Sequence, residues 1–277
     1  MFRSFGRTFG PSFARCFAAC TILAVGVNAG MAGIAAAAPA TTVAGTPART
    51  LVVALFAKPL DRGALRTSLA GEQTQRLEAW RRQGTLASYQ VLFTRYADAG
   101  VWDGLEVLAF RDDAALSRWS EVERASPGGL SAKALAVVEH VVTTPADRIR
   151  SGGRTETGAA GVFLVIPYLA LVSSPEYIKY LDGYTIPQFD GWIGEHVLDG
   201  YDVEYSRYPA DRPWLALIIL RYHDDAALAQ RDRTTATVRA RLVNNAVWKA
   251  YSDDKKAVRT EKVLAIADQL AGAGQTP

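Results

Sequence analysis

Two stretches of this chain, 112 residues apart, carry nearly the same text. Tyr89-Gln-Val-Leu-Phe-Thr-Arg95-Tyr96 is followed by Trp102 and by Leu105-Glu-Val-Leu-Ala-Phe-Arg-Asp-Asp-Ala-Ala-Leu116. The same order returns as Tyr201-Asp-Val-Glu-Tyr-Ser-Arg207-Tyr208, Trp214 and Leu217-Ile-Ile-Leu-Arg-Tyr-His-Asp-Asp-Ala-Ala-Leu228. Arg95 against Arg207, Trp102 against Trp214 and Leu116 against Leu228 all differ by 112. A period of that length is a whole folding unit, so the chain must be read as one architecture built twice.

The first unit opens with a β-rich run, Leu51–Phe56. Leu65, Leu69, Leu77 and Trp80 then recur at helical spacing up to Gly84, a C-terminal stop, after a start at Asp61 or Ser68. Strands follow at Leu86–Tyr96 and Leu105–Phe110. A second helix starts at Asp112-Asp113, acids suited to the positive end of the helix dipole, and breaks at Pro127-Gly128-Gly129. A last strand lies in Val137–Val142. The second unit repeats this from Phe163–Leu169, with a helix start at Ser174-Pro175-Glu176 and a bend near Gly183 and Pro187. Beyond the second helix the copies slip. Glu139-His-Val-Val142 aligns with Glu261-Lys-Val-Leu264, so about ten residues are gained around Trp248 to Lys256, before a strand at Thr260–Ala267.

Each unit reads β-α-β-β-α-β, the split βαβ arrangement with both helices on one face of a four-stranded antiparallel sheet. The fold class is therefore α+β: two tandem ferredoxin-like repeats whose bare sheet faces close on each other. This organisation resembles the dimeric α/β-barrel superfamily in fused form. That superfamily includes antibiotic-biosynthesis monooxygenases, muconolactone isomerases, ether-degradation (EthD) type domains and stress-responsive barrel proteins, with haem-binding chlorite dismutases and dye peroxidases as larger cousins. The resemblance spans residues 50–270 and rests on element order, so it speaks to fold far more than to function. The repeats span 50–149 and 161–270, joined by a Gly-rich linker at 150–160 that lacks apolar periodicity; a Pro-punctuated leader at 39–49 and a tail at 271–277 are expected to be disordered.

In such a barrel alternate strand residues point into a shared cavity. Tyr201, Val203, Tyr205 and Arg207 are the more apolar face of their strand, as are Tyr89, Val91, Phe93 and Arg95 of theirs, so both rows are expected inside. That makes Arg207 and Arg95 possible clamps for an anionic or phenolic ligand, or else rim residues paired with carboxylates. Tyr89, Tyr168 and Tyr205 join them as expected ligand-binding residues. Nine of the eleven tyrosines lie in the second copy, so the site is expected there; phenols suit an amphipathic pocket. His223 beside Asp224-Asp225, with Tyr201, is the candidate for proton transfer, against a plain helix-capping role. His140, His196 and His223 have no counterparts in the other copy. No zinc-like spacing, nucleophile elbow, phosphate loop or dinucleotide fingerprint appears. The expected ligand is an aromatic or oxygenated organic compound, bound or converted without a metal or cofactor. A haem-binding barrel and a non-catalytic barrel filled by its own side chains are the alternatives.

Residues 1–38 read as a secretory signal peptide. Arg3, Arg7 and Arg15 precede a small apolar run ending at Ala36-Ala37-Ala38. A lipoprotein site at Cys20 and a retained anchor are the weaker readings. The segment contains three of the 31 Lys and Arg and none of the 28 acids, so the formal +3 belongs to it and the remainder is near neutral. A near-neutral protein lacks the basic reservoir a phosphate backbone needs, which argues against nucleic acid as a partner. Cys16, Cys20, Met1 and Met31 also lie there, so a cleaved protein has no thiol or thioether. The expectation is a bacterial periplasmic or secreted protein, free of the membrane after cleavage and able to pair as a homodimer.

Overall fold

The computed structural model describes residues 48–153 and 161–273. The expected signal segment, nearly all of the leader and most of the linker and tail lie outside the described residues. Repeat 1 comprises β1 (Ala48–Ala57), α1 (Arg62–Ser68), a π-helical segment (Leu69–Gln73), α2 (Thr74–Arg82), β2 (Ser88–Thr94), β3 (Gly104–Phe110), α3 (Asp113–Ala125), a short α4 (Ala132–Val137) and β4 (Val138–Gly153). Repeat 2 comprises β5 (Val162–Ala170), α5 (Ser174–Tyr180), a π segment (Leu181–Thr185), α6 (Ile186–Gly194), β6 (Leu198–Ser206), β7 (Ala216–Tyr222), α7 (Asp225–Ala229), α8 (Arg231–Leu242), α9 (Ala246–Val258), β8 (Arg259–Glu261) and β9 (Ala265–Ala273). The residues gained in repeat 2 are thus the helix α9. Among the described residues no helix is long and apolar enough to cross a membrane.

Local chemistry explains the helix starts. Asp112 and Asp224 cap α3 and α7 by accepting from the Ala115 and Ala227 amides at 2.7 and 2.8 Å. The cap of α5 is Ser173, one residue before the expected Ser174; the Glu176 carboxylate reaches back to the Ser173 amide at 3.0 Å, half of a capping box. The bend foreseen at Gly183 and Pro187 is a π segment. Its twin in repeat 1 has no proline, so the extra residue per turn belongs to the duplicated architecture and not to Pro187.

The two sheets meet at their edges as well as their faces. Strands run β7-β6-β4-β1-β3-β2-β9-β5, and β5 pairs back onto β7, which closes an antiparallel barrel; β8 adds to the end of β5. The seams are β4 on β6 and β2 on β9, each joining one repeat to the other. β4 is far longer than the six residues expected because its first part pairs with β1 and its second part with β6. It ends at Gly153, at φ +85, where an added Cβ would lie 2.2 Å from the Asp199 carbonyl oxygen; only glycine fits this close strand approach.

Three apolar layers result. The barrel axis is filled by Val52, Val107, Phe163, Val165, Leu217 and Ile219, with Trp214 and Trp102 among their neighbours. A second layer lies between the repeat 1 strands and their helices, and a third, rich in tyrosine, between the repeat 2 strands and theirs. The expected facing is therefore reversed. Tyr201, Val203 and Tyr205, like Tyr89, Val91 and Phe93, point outward to the helices, while Glu204 points into the barrel. The apolar face of each strand belongs to the helix layer because the helices cover it. The axis takes mainly aliphatic chains with Phe163 and Trp214, and a few paired charges.

Candidate functional site

Both duplicated arginines sit at the seams. Arg95, at the end of β2, pairs with Asp268 of β9 at 2.8 Å and with Asp225 at the start of α7. Arg207, just beyond β6, lies 3.9 Å from Asp147 of β4, and its guanidinium rests over the Tyr208 ring. Asp147 also takes Arg49, which reaches Asp113 at the start of α3. The duplication of the arginine thus follows from the duplication of the seam, and neither residue points into a shared cavity. Asp113 and Asp225 are held below the usual carboxylate range by these arginines.

The other expected residues separate as well. His223 is exposed at the end of β7, with Nδ1 3.6 Å from Asp199, and the neighbouring Asp224 caps α7. Tyr201 donates to Asp190 at 3.3 Å and packs on Phe189, its ring over Gly152, where an added Cβ would meet it at 2.6 Å. Tyr89 donates to Glu78 within repeat 1 at 3.3 Å. None of these three lies with Tyr168 and Tyr205.

Tyr168 and Tyr205 do come together, in a group the sequence did not single out as a unit. Tyr168 on β5, Tyr205 on β6, and Tyr177 and Tyr180 on α5 converge in the tyrosine-rich layer of repeat 2. The Tyr177 ring is 6.0 Å from Tyr180 and 6.2 Å from Tyr205. Arg259, the first residue of β8, enters between them. Its guanidinium stacks 3.8 Å from the Tyr168 ring centre and its Nε donates to the Tyr180 hydroxyl at 2.8 Å. Such a cation over two phenol rings is held electrostatically as well as by packing.

Three polar atoms of this group are buried and meet no hydrogen-bond partner in the protein: Arg259 Nη1 and the hydroxyls of Tyr177 and Tyr205. Tyr177 is wholly buried. An unmet buried polar group costs about 1–3 kcal/mol, more when charged, so native folds rarely leave several in one layer without a use. Burial pushes the Tyr177 and Tyr168 phenols up, against the pull of Arg259, and pushes Tyr180 up to about 12. The phenols therefore stay protonated at neutral pH. The group presents a fixed cation and a hydroxyl donor among flat aromatic faces.

All three histidines, His140, His196 and His223, are exposed, and none lies among these tyrosines. Haem iron takes an axial His, Cys, Met or Tyr, and the described residues contain neither Cys nor Met. The residues present do not fit a histidine-ligated haem, and a phenolate ligand would work against the burial that keeps these tyrosines protonated. Among the described residues no three of His, Cys, Asp and Glu group as metal ligands.

The fold is a dimeric-type α/β barrel of ferredoxin-like halves, in fused, single-chain form. Solved structures similar to it include an anthrone oxidase-like protein, at 16% identity and TM-score 0.54, covering 86% of this chain and 98% of that one. A proposed monooxygenase from Lactobacillus acidophilus is similar at 12% identity and TM-score 0.52, covering 83% and 97%. Another from Fusobacterium nucleatum is similar at 11% and 0.53, covering 83% and 95%. No protein-family model and no curated protein sequence matches the chain. At these identities the likeness carries the fold alone.

Proposed function

We propose that the protein binds a planar, oxygen-bearing aromatic compound in the sheet–helix layer of repeat 2, with the ligand oxygen on Arg259 Nη1 and the Tyr177 hydroxyl. The single observation that carries this reading is the set of buried, unpartnered polar atoms, Arg259 Nη1 and the Tyr177 hydroxyl with that of Tyr205, among the rings of Tyr168 and Tyr180. An acceptor oxygen would satisfy Arg259 and Tyr177, and charge-assisted bonds favour an anionic or enolisable one. The Arg259 guanidinium, flat against Tyr168, marks the orientation an aromatic plane would adopt there. If the ligand is converted, the same two groups would stabilise negative charge developing on its oxygen. The anthrone oxidase-like neighbour is named for a planar aromatic ketone, the same chemical class.

Binding without conversion is the second reading, favoured by the close filling of the barrel axis by Phe163, Leu217 and their neighbours. Both readings share one test. Titration calorimetry with 2-naphthoate and 2-hydroxy-1,4-naphthoquinone should show binding that Arg259→Met weakens ~10–150-fold, the equivalent of a charged hydrogen bond of about 1.5–3 kcal/mol. Tyr177→Phe should weaken it less, and Arg207→Met should leave it unchanged. Equal affinity for wild type and Arg259→Met would defeat the proposal.

We further propose that the protein is exported and that residues 1–38 are removed, on the strength of the arginine-led apolar segment and its Ala36-Ala37-Ala38 end. Intact-mass measurement of protein recovered from a bacterial periplasm should give a chain beginning near Pro39. A mass retaining Met1 and Cys20 would contradict export by cleavage.

A further inference from the structure

Repeat 1 carries its own unmet polar groups, in the layer equivalent to the tyrosine site but with different chemistry. Glu106 on β3 and Gln73 at the end of the π segment are 0% and 1% exposed, and the Gln73 amide donates to Glu106 Oε2 at 3.2 Å. Their other oxygens, Glu106 Oε1 and Gln73 Oε1, meet no partner in the protein, nor does Ser68 Oγ. Ser68 immediately precedes the π segment and Gln73 ends it, five positions on. The structure assigns Ser68, Gln73 and Glu106 to a second binding site, which we propose takes a small protonated primary amine.

Donor and acceptor counting selects that class. Three oxygens lack partners, and a primary ammonium group offers three N–H donors where a hydroxyl offers one. The field has the right sign: the ionisable group acting on Glu106 across the layer is Glu123 of α3, which disfavours a second negative charge. A cation between them would relieve that repulsion and let Glu106 release its proton to solvent, so the exchange is charge-balanced. Of the three, Ser68 alone lines a surface depression, together with Gly63, Ala64, Thr67, Gly71, Glu72 and Lys133; Gln73 and Glu106 are not in its lining. An added Cβ at Gly63 or Gly71 would meet nothing within 4 Å, so the floor stays low beside Ser68. Repeat 2 supplies an internal contrast: the positions 112 residues on are Tyr180, Thr185 and Ile218, which could not form this site.

Thermal unfolding of the full chain at pH 8 should separate methylammonium chloride from tetramethylammonium chloride at equal ionic strength. Methylammonium should raise Tm by about 2 °C or more over tetramethylammonium, because a ligand preferring the native state stabilises it by mass action. Glu106→Gln, nearly isosteric, should abolish the difference, and Ser68→Ala should reduce it. Calorimetry in two buffers of different ionisation heat should show proton release on binding to wild type and none for Glu106→Gln. Equal Tm shifts for the two salts would overturn the assignment, as would a methylammonium response that survives in Glu106→Gln.

Discussion

Glu106→Gln should equal wild type in stability near pH 5 and exceed it at pH 8. The carboxyl is wholly buried against the repeat 1 helices. Burial first, and the Glu123 charge second, push it from the usual 4.5 to about 8, against the Gln73 hydrogen bond. A group raised in the folded state contributes stability that is complete below its unfolded value. That contribution is lost as pH climbs through the folded value. Wild type should therefore lose ground to the glutamine variant from about pH 4.5 to about pH 8, by at most ~1.4 kcal/mol per pH unit. The accumulated difference has an upper bound of about 5 kcal/mol. The substituted amide keeps an acceptor oxygen for the Gln73 amide, so replacing the neutral carboxyl costs little. Urea unfolding of both proteins across this range is the check. A difference that stays flat with pH would mean Glu106 is already ionised in the fold.

Arg148→Met should cost about 3–5 kcal/mol, the range for stripping one partner from a buried ion pair. Glu204, on the barrel-facing side of β6, has a side chain with 0% exposure and holds Arg148 of β4 at 2.7 Å. The Thr50 hydroxyl of β1 donates to the same carboxylate at 2.6 Å. Three strands from both repeats thus meet at one carboxylate, next to the β4–β6 seam. Burial pushes Glu204 up, while Arg148 and Thr50 oppose it, so without Arg148 the carboxylate has no compensating charge. Asp202, 3.3 Å from Arg148 and partly exposed, can turn to solvent instead. In a chain of this size the loss corresponds to roughly 10 °C in Tm. Arg148→Met with Glu204→Gln should recover more than half of it, because the amide still accepts from Thr50. A single-mutant loss below about 1 kcal/mol would show that the seam does not depend on this pair.

The duplication made the fold legible, since a constant spacing of 112 forces each element to be explained twice. What it concealed was facing. The pattern of Tyr201, Val203 and Tyr205 marks a buried side, yet both sides of a barrel strand are buried, and periodicity cannot say which is helix and which is axis. Charge on the opposite face, Asp202 and Glu204, suggested solvent, whereas Glu204 is neutralised inside by Arg148 from the other repeat, a contact 56 positions away. The arginines misled for a related reason. Arg95 and Arg207 were conspicuous because they are duplicated, but duplication marks what both halves need, which here is a seam.

The candidate site was partly readable by the opposite logic. Tyr168, Tyr177, Tyr180 and Tyr205 stand where repeat 1 has Phe56, Leu65, Ser68 and Phe93, so three hydrophobic positions and one serine have become phenols in one copy only. Arg259 aligns with Val137 once the inserted helix is allowed for. Differences between the copies, more than their agreement, pointed to this layer. The convergence of Arg259 on Tyr168 and Tyr180 needs β8 laid against β5, which no local pattern encodes.

The most direct test is a crystal structure of the protein with 2-hydroxy-1,4-naphthoquinone. The ligand oxygen should lie within hydrogen-bond reach of Arg259 Nη1 and the Tyr177 hydroxyl, with its ring against Tyr168 or Tyr205. Density on the barrel axis beside Trp214 and Leu217, or bound ligand with Arg259 and Tyr177 still unpartnered, would contradict this account.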